Sequence, residues 1–226
     1  VKKYIVEKGT DTVVEGTLAW KDGTIKPGAG TTQAAWVFTP SDDSYATAEG
    51  TVEISVTQAE PAVSAVPAVA ARTYNATKTL TNEDLSGGSV TGVDGSILAG
   101  TWSWQESGII PVVDNSGYVA IFTPVDSTNY KTVTRTITVS VAKSTETPNM
   151  PDSTMSVAYA CEKVSDVELP EDWVWQEADQ SQALEPGTAV TATAIYDGTD
   201  KGNYVNETVT VAITRRTKAQ EEKQVA

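Results

Sequence analysis

The sequence predicts an all-β fold built as three small antiparallel sandwiches in tandem, and three observations predict it. The chain repeats, its strand-like runs alternate polar with apolar residues, and turn-forming residues punctuate those runs. Gly16-Thr17-Leu18-Ala19-Trp20 is followed, 18 residues after the Trp, by Phe38-Thr39-Pro40. Gly100-Thr101-Trp102-Ser103-Trp104 is followed at the same distance by Phe122-Thr123-Pro124. Trp20 and Trp104 lie 84 residues apart, and so do Phe38 and Phe122. So long a period with its landmarks in register means similar small domains rather than one large globule. Domains of this size bury only about 60–68% of the surface their unfolded chains expose, so thin cores and no deep pocket are expected.

A third copy is looser. Asp172-Trp173-Val174-Trp175 stands for Thr101 to Trp104, Tyr196 for Phe122, and Asn203-Tyr204 for Asn129-Tyr130. Its Trp-to-aromatic gap is 21 residues, as a longer loop allows. Tyr74 and Lys78 recur 85 residues on as Tyr159 and Lys163. Each copy closes on a strand-like run: 50–56, 135–141 and 208–213. In the run 132–141, Val133 and Arg135 share a face with Ile137, Val139 and Val141, while Thr and Ser point the other way. One apolar and one polar face is what an outer sandwich strand needs. Lys21-Asp22-Gly23, Pro27-Gly28-Ala29-Gly30, Ser86-Gly87-Gly88, Asp94-Gly95 and Pro186-Gly187 supply the turns. Thr81 to Leu85 holds a single helical turn at most.

These landmarks predict copies at 1–59, 60–145 and 146–216, and a polar, helix-permissive tail at 217–226. The joints are rich in Pro, Ala, Ser and Thr, which stiffens them toward extended geometry and predicts an elongated rod. Copy one has 19 residues before its Trp against about 43 in copy two, so it is expected to lack its first strand. The chain begins at Val1 without Met and reads as a piece of a longer protein.

Composition excludes several classes. The net charge is −14 and the pI near 4.3, which disfavours nucleic acid and anionic membranes as partners. With no His, Ser-His-Asp and Cys-His catalysis and His-containing metal sites are ruled out. The single Cys161 makes no intrachain disulfide; Ala76 holds its place in copy two, so it reads as a small buried side chain. No apolar stretch approaches the roughly 20 residues of a membrane span. No cofactor is expected.

The order Tyr74…Asp84-Leu85-Ser86-Gly87-Gly88…Gly100-Thr101-Trp102-Ser103-Trp104…Phe122-Thr123-Pro124…Asp126…Asn129-Tyr130 resembles the tandem Ig-like repeats of large surface proteins of Gram-positive and gut bacteria. Copy one looks like a Gly-Thr-x-x-Trp-Lys-Asp-Gly-Thr variant, and Leu169-Pro170-Glu171-Asp172-Trp173-Val174-Trp175 like a Leu-Pro-x-x-Trp-x-Trp variant. Copy three departs with Tyr196-Asp197-Gly198 for Phe-Thr-Pro. The resemblance implies three Ig-like sandwiches and an extracellular, wall-associated stalk or adhesin segment. It implies no enzymatic activity of its own, and the ligand does not carry over. The chain is expected to be a monomer, with a host or microbial glycan or protein as its partner.

Four constellations carry candidate chemistry. Leu18/Trp20, Trp102/Trp104 and Trp173/Trp175 each share a strand face, as a sugar-stacking platform or as the sandwich core. Leu18 replacing Trp102 favours core. Trp36 is the one candidate ligand-binding residue: its slot holds Ala120 and Ala194 in the other copies, so it either binds something or fills the space of a missing strand. The Asp-x-x-Asn-Tyr loops (Asp126 to Tyr130 and Asp200 to Tyr204, shortened to Asp42-Asp43-Ser44-Tyr45) offer too few oxygens for calcium. Asp closing a turn, Asn in a left-handed conformation and Tyr anchoring the corner explain them. A Lys–Asn isopeptide would need Lys78 or Lys163 buried opposite Asn129 or Asn203. Paired carboxylates could cleave glycosides, but no pair among the 30 acidic residues sits in a cleft-forming segment.

Overall fold

The structure is a computed structural model that describes residues 3–6, 9 and 12–224. It is all-β. Copy one forms β1 (Lys3–Val6), β2 (Val13–Trp20), β3 (Gly30–Pro40) and β4 (Ala48–Val56). Copy two forms β5 (Ala62–Ala65), β6 (Arg72–Thr73), β7 (Ser89–Thr91), β8 (Gly100–Trp104), β9 (Tyr118–Pro124), β10 (Val133–Ile137) and β11 (Val141–Ala142). Copy three forms β12 (Thr154–Val157), β13 (Trp173–Trp175), β14 (Ala189–Tyr196) and β15 (Thr208–Arg215), and the tail folds as a helix, α1 (Lys218–Gln224). The single turn expected near Thr81 is a 3-10 turn at Asn82–Asp84.

The chain divides into two compact units. The first gathers Val1–Ala68, Leu85–Gln105 and Val119–Ile137; the second gathers Val69–Asp84, Glu106–Tyr118 and Thr138–Ala226. Copy two therefore contributes to both.

In the first unit, β1-β2-β3-β4 form an antiparallel meander, β8, β9 and β10 a three-stranded sheet, and β5 pairs β7. The repeat is visible in the register: Leu18 faces Phe38 and Trp20 faces Trp36, as Trp102 faces Phe122 and Trp104 faces Ala120. The glycine that opens each Gly-Thr-x-x-Trp motif is required by its neighbour's ring. A Cβ on Gly100 would run into the Phe122 ring and the Thr123 carbonyl, and a Cβ on Gly16 into the Phe38 ring. Gly50 likewise leaves room for the Trp36 indole that lies across it.

In the second unit the sheet order is β12-β15-β14-β13, with β12 parallel to β15. Trp173 faces Tyr196 and Trp175 faces Ala194, the same register again. The pair β6–β11 is parallel too, and its match of Arg72 to Val141 repeats the match of Val157 to Arg215. Copies two and three thus share a short strand that lies parallel to their last. The core of this unit joins Trp173, Trp175, Leu184, Val164, Val211 and Ile213 with three tyrosines.

Two sequence expectations need correction here. The run 132–141 is not one strand: β10 ends at Ile137 and β11 begins at Val141, because the last residues leave β9 to pair with β6. Cys161 is half-buried rather than buried, and Ala76 is exposed.

Candidate functional site

The aromatic strand faces end in different environments in the different copies. Trp104, Trp173 and Trp175 are buried, as core residues should be. Trp175 donates its indole N–H to the Val167 carbonyl at 2.8 Å, and Trp173 to the Pro148 carbonyl at 2.9 Å. Trp102 is half-buried. Copy one departs from the expected core: Leu18 is 37% and Trp20 52% exposed. The register explains the difference. Ile5, Val14, Leu18, Trp20, Trp36, Phe38, Val52 and Ile54 all lie on one face of β1–β4, and Thr17, Thr39, Thr51, Glu49 and Glu53 on the other. Around Val14 and Phe38 the apolar face is closed; toward Trp20 and Val52 it is open. The open part is a groove of about 450 Å³ lined by Ile5, Leu18, Ala19, Trp20, Trp36 and Val52. Trp36, the candidate from sequence, is half-buried beside the exposed Trp20.

The Asp-x-x-Asn-Tyr loops do something the sequence reading missed. The positive-φ non-glycine residues among those described are Asp114, Asn149 and Asp172, so neither Asn129 nor Asn203 is left-handed. Instead each Asn clasps the preceding copy. Asn129 Oδ1 accepts the Ala29 N–H at 2.7 Å, and Asn203 Oδ1 accepts the Val113 N–H at 2.8 Å. The linker that opens the next copy joins in. Ala59 donates to the Asn129 carbonyl and accepts from the Lys131 N–H, at 2.8 and 2.9 Å. Ser144 does the same with Asn203 and Val205, at 2.9 and 2.8 Å. A signal was available: Pro27-Gly28-Ala29 and Pro111-Val112-Val113 keep the 84-residue step.

The second of these loops carries the most perturbed titratable groups. Asp200 accepts three phenol hydrogen bonds, from Tyr74 (2.9 Å), Tyr204 (2.7 Å) and Tyr196 (2.7 Å). Burial pushes the Asp200 carboxyl up, but the three phenols outweigh it and hold the group below its ordinary value. Burial first, then the Asp200 hydrogen bond and charge, push the Tyr74 phenol up to about 12. Tyr196 and Tyr204 are raised by the same causes in the same order. A charged acceptor shared by three donors is a strong structural clasp.

No family model matches this chain, and neither does any curated protein or solved structure. Lys78 and Lys163 are exposed, and the side chains of Asn129 and Asn203 are engaged elsewhere, so the geometry an isopeptide needs is not present. Among the described residues no group of three acidic or thiol side chains could hold a metal ion.

Proposed function

We propose that this chain is a non-catalytic, extracellular structural segment of a surface protein, a series of Ig-like modules that spaces a binding region from the cell. The observation that carries the reading is the recurrent clasp. A linker residue, an Asn side chain and a Pro-x-x loop are joined twice in the same way, by Ala59, Asn129 and Ala29 and by Ser144, Asn203 and Val113. Repeating a joint fixes the angle between successive modules, which a spacer needs and a single-site enzyme does not. Small-angle scattering tests it. A spacer gives a radius of gyration well above the roughly 17 Å of a compact globule of this length; a value near that figure ends the proposal. In Asn129→Ala and Asn203→Ala, the Ala29 and Val113 amides lose their acceptors. Their hydrogen exchange should speed up, with about 1 kcal/mol of stability lost per site.

A binding module using exposed aromatics is the second reading, favoured by Trp20 standing 52% exposed beside Trp36. A specific hit on a glycan array that vanishes in Trp20→Ala would establish it.

A further inference from the structure

We propose that copies two and three bear tensile load along the chain, each through a shear clamp between the segment that enters the copy and the segment that leaves it. The proposal deepens the spacer reading and rests on it.

Copy three carries the fuller clamp. Its entry segment, 144–157, and its exit segment, 203–216, run side by side in the same direction. Ser144 bridges Tyr204 in parallel, and β12 pairs with β15 from Thr154 with Ala212 to Val157 with Arg215. Further bonds extend the contact at both ends. The Ser144 N–H donates to the Asn203 carbonyl and the Val205 N–H to the Ser144 carbonyl, at 2.9 and 2.8 Å. The Asn206 side-chain amide donates to the Thr145 carbonyl at 2.9 Å, and the Thr147 hydroxyl to the Asn206 carbonyl at 2.5 Å. Thr147 is buried, so water does not compete for its bond. The Ala212 N–H donates to the Ser153 carbonyl at 2.8 Å, and the Arg216 N–H to the Val157 carbonyl at 3.0 Å. Copy two repeats the arrangement: Ala59 bridges Tyr130 in parallel, and β6 lies parallel to β11.

Direction decides what such a contact withstands. In a parallel pair the start of one strand and the end of the other lie at opposite ends of the contact. Tension that pulls the entry segment back and the exit segment forward slides one along the other. All the bonds between them carry the load together and have to break together. In an antiparallel hairpin pulled at its two open ends, the bonds break one after another. Copy one is the contrast. There β1 pairs with β2 and β4 lies at the other edge of the sheet, so among the described residues no ladder joins the first strand to the last. A spacer held at one end and loaded at the other meets force along the chain, the direction in which the two clamps are strong.

The test pulls the full chain in two directions by single-molecule force spectroscopy, with Cys161→Ala in both forms and handles on introduced cysteines. Lys143→Cys with Lys218→Cys loads the copy-three clamp in shear. Lys143→Cys with Lys201→Cys opens the same clamp from one end. Forced unfolding reports the barrier crossed rather than equilibrium stability, so one fold pulled two ways isolates the geometry. The expected result is rupture at a force at least about twofold higher in shear, with release of about 250 Å of extended chain. Thr147→Val and Asn206→Ala, each removing one bond across the clamp, should lower the shear force. Equal forces in the two directions overturn the proposal, and if scattering still gives an extended chain the spacer reading stands without it. A compact scattering profile removes the spacer reading, and the load-bearing function with it, whatever the forces.

Discussion

Single side chains in this molecule act through what they leave out as much as through what they add. Gly100 lacks a Cβ so that the Phe122 ring can lie against its backbone. Its backbone conformation is ordinary, so Gly100→Ala meets a purely steric cost: the ring and the Thr123 carbonyl both have to shift. Overpacking of this kind costs about 1–3 kcal/mol. Gly100→Ala should melt lower by that amount, while Gly95→Ala, where an added Cβ meets nothing but φ is +80°, should lose stability through backbone strain alone. Asp200 and its tyrosines give a different residue-scale expectation. Asp200 titrates below the ordinary value of an aspartate when folded, so its contribution is complete above the unfolded value and is lost as pH falls through the lower folded value. Tyr74 rises from 10.0 to about 12, so its contribution is complete below pH 10 and is lost as pH climbs from there through about 12. Melting temperature should therefore fall between pH 10 and about 12, together with late tyrosinate absorbance, and Tyr74→Phe should blunt that fall. An unchanged alkaline limb in Tyr74→Phe would show that the phenol is not linked to folding.

At the scale of the strand, the same hairpin is used in two environments, and the contrast can be measured. β13–β14 and β2–β3 carry their Trp residues in the same register, yet Trp175 is 6% exposed and Trp20 is 52% exposed. Trp175→Ala should cost about 3–5 kcal/mol, the range for removing a buried aromatic. Trp20→Ala should cost a small fraction of that, since most of the ring already faces water. Urea unfolding of the two variants decides it; equal losses would mean that Trp20 is packed in solution. This contrast also marks how far the sequence could be read. The aromatic pairs, the closing strands and the 84-residue step gave the hairpins and their register, because strand pairing follows period-two alternation and short turns. The sequence could not say which faces are covered. Cover comes from the segment that leads into the hairpin, as Val164 and Val167 cover Trp175, and the hairpin's own alternation does not record it. The Asn clasps were missed for a related reason. A side-chain acceptor meeting a backbone N–H 90 or 100 residues away leaves no mark in local propensity. Only the constancy of the Pro-x-x spacing hinted at it.

For the whole molecule, the compact units and the units of sequence are different partitions. The sequence repeats at 1–59, 60–145 and 146–216, whereas the compact units draw on copy two from both sides. The clasps explain why: each ties one copy's linker to the next copy's Asn-Tyr loop by backbone hydrogen bonds, Ala59 with Asn129 within the first unit and Ser144 with Asn203 within the second, and its Pro-x-x loop by the Asn side chain. Regions joined in this way open together, and native-state hydrogen exchange reports such cooperative blocks directly. Copy two should then split. Amides of β8 and β9 should exchange with the free energy of β3, and amides of β11 with that of β15. The first block should also open more easily, because its sheet leaves Leu18, Trp20 and Val52 exposed while the second closes a core over Trp173 and Trp175. The difference follows from apolar area left in water, at roughly 25 cal/mol per Å². Urea added below the main transition should accelerate exchange in β2–β4 and β8–β9 before β14–β15. Copy two exchanging as a single block would instead assign cooperativity to the repeat itself, and the clasps would then be contacts without a role in folding.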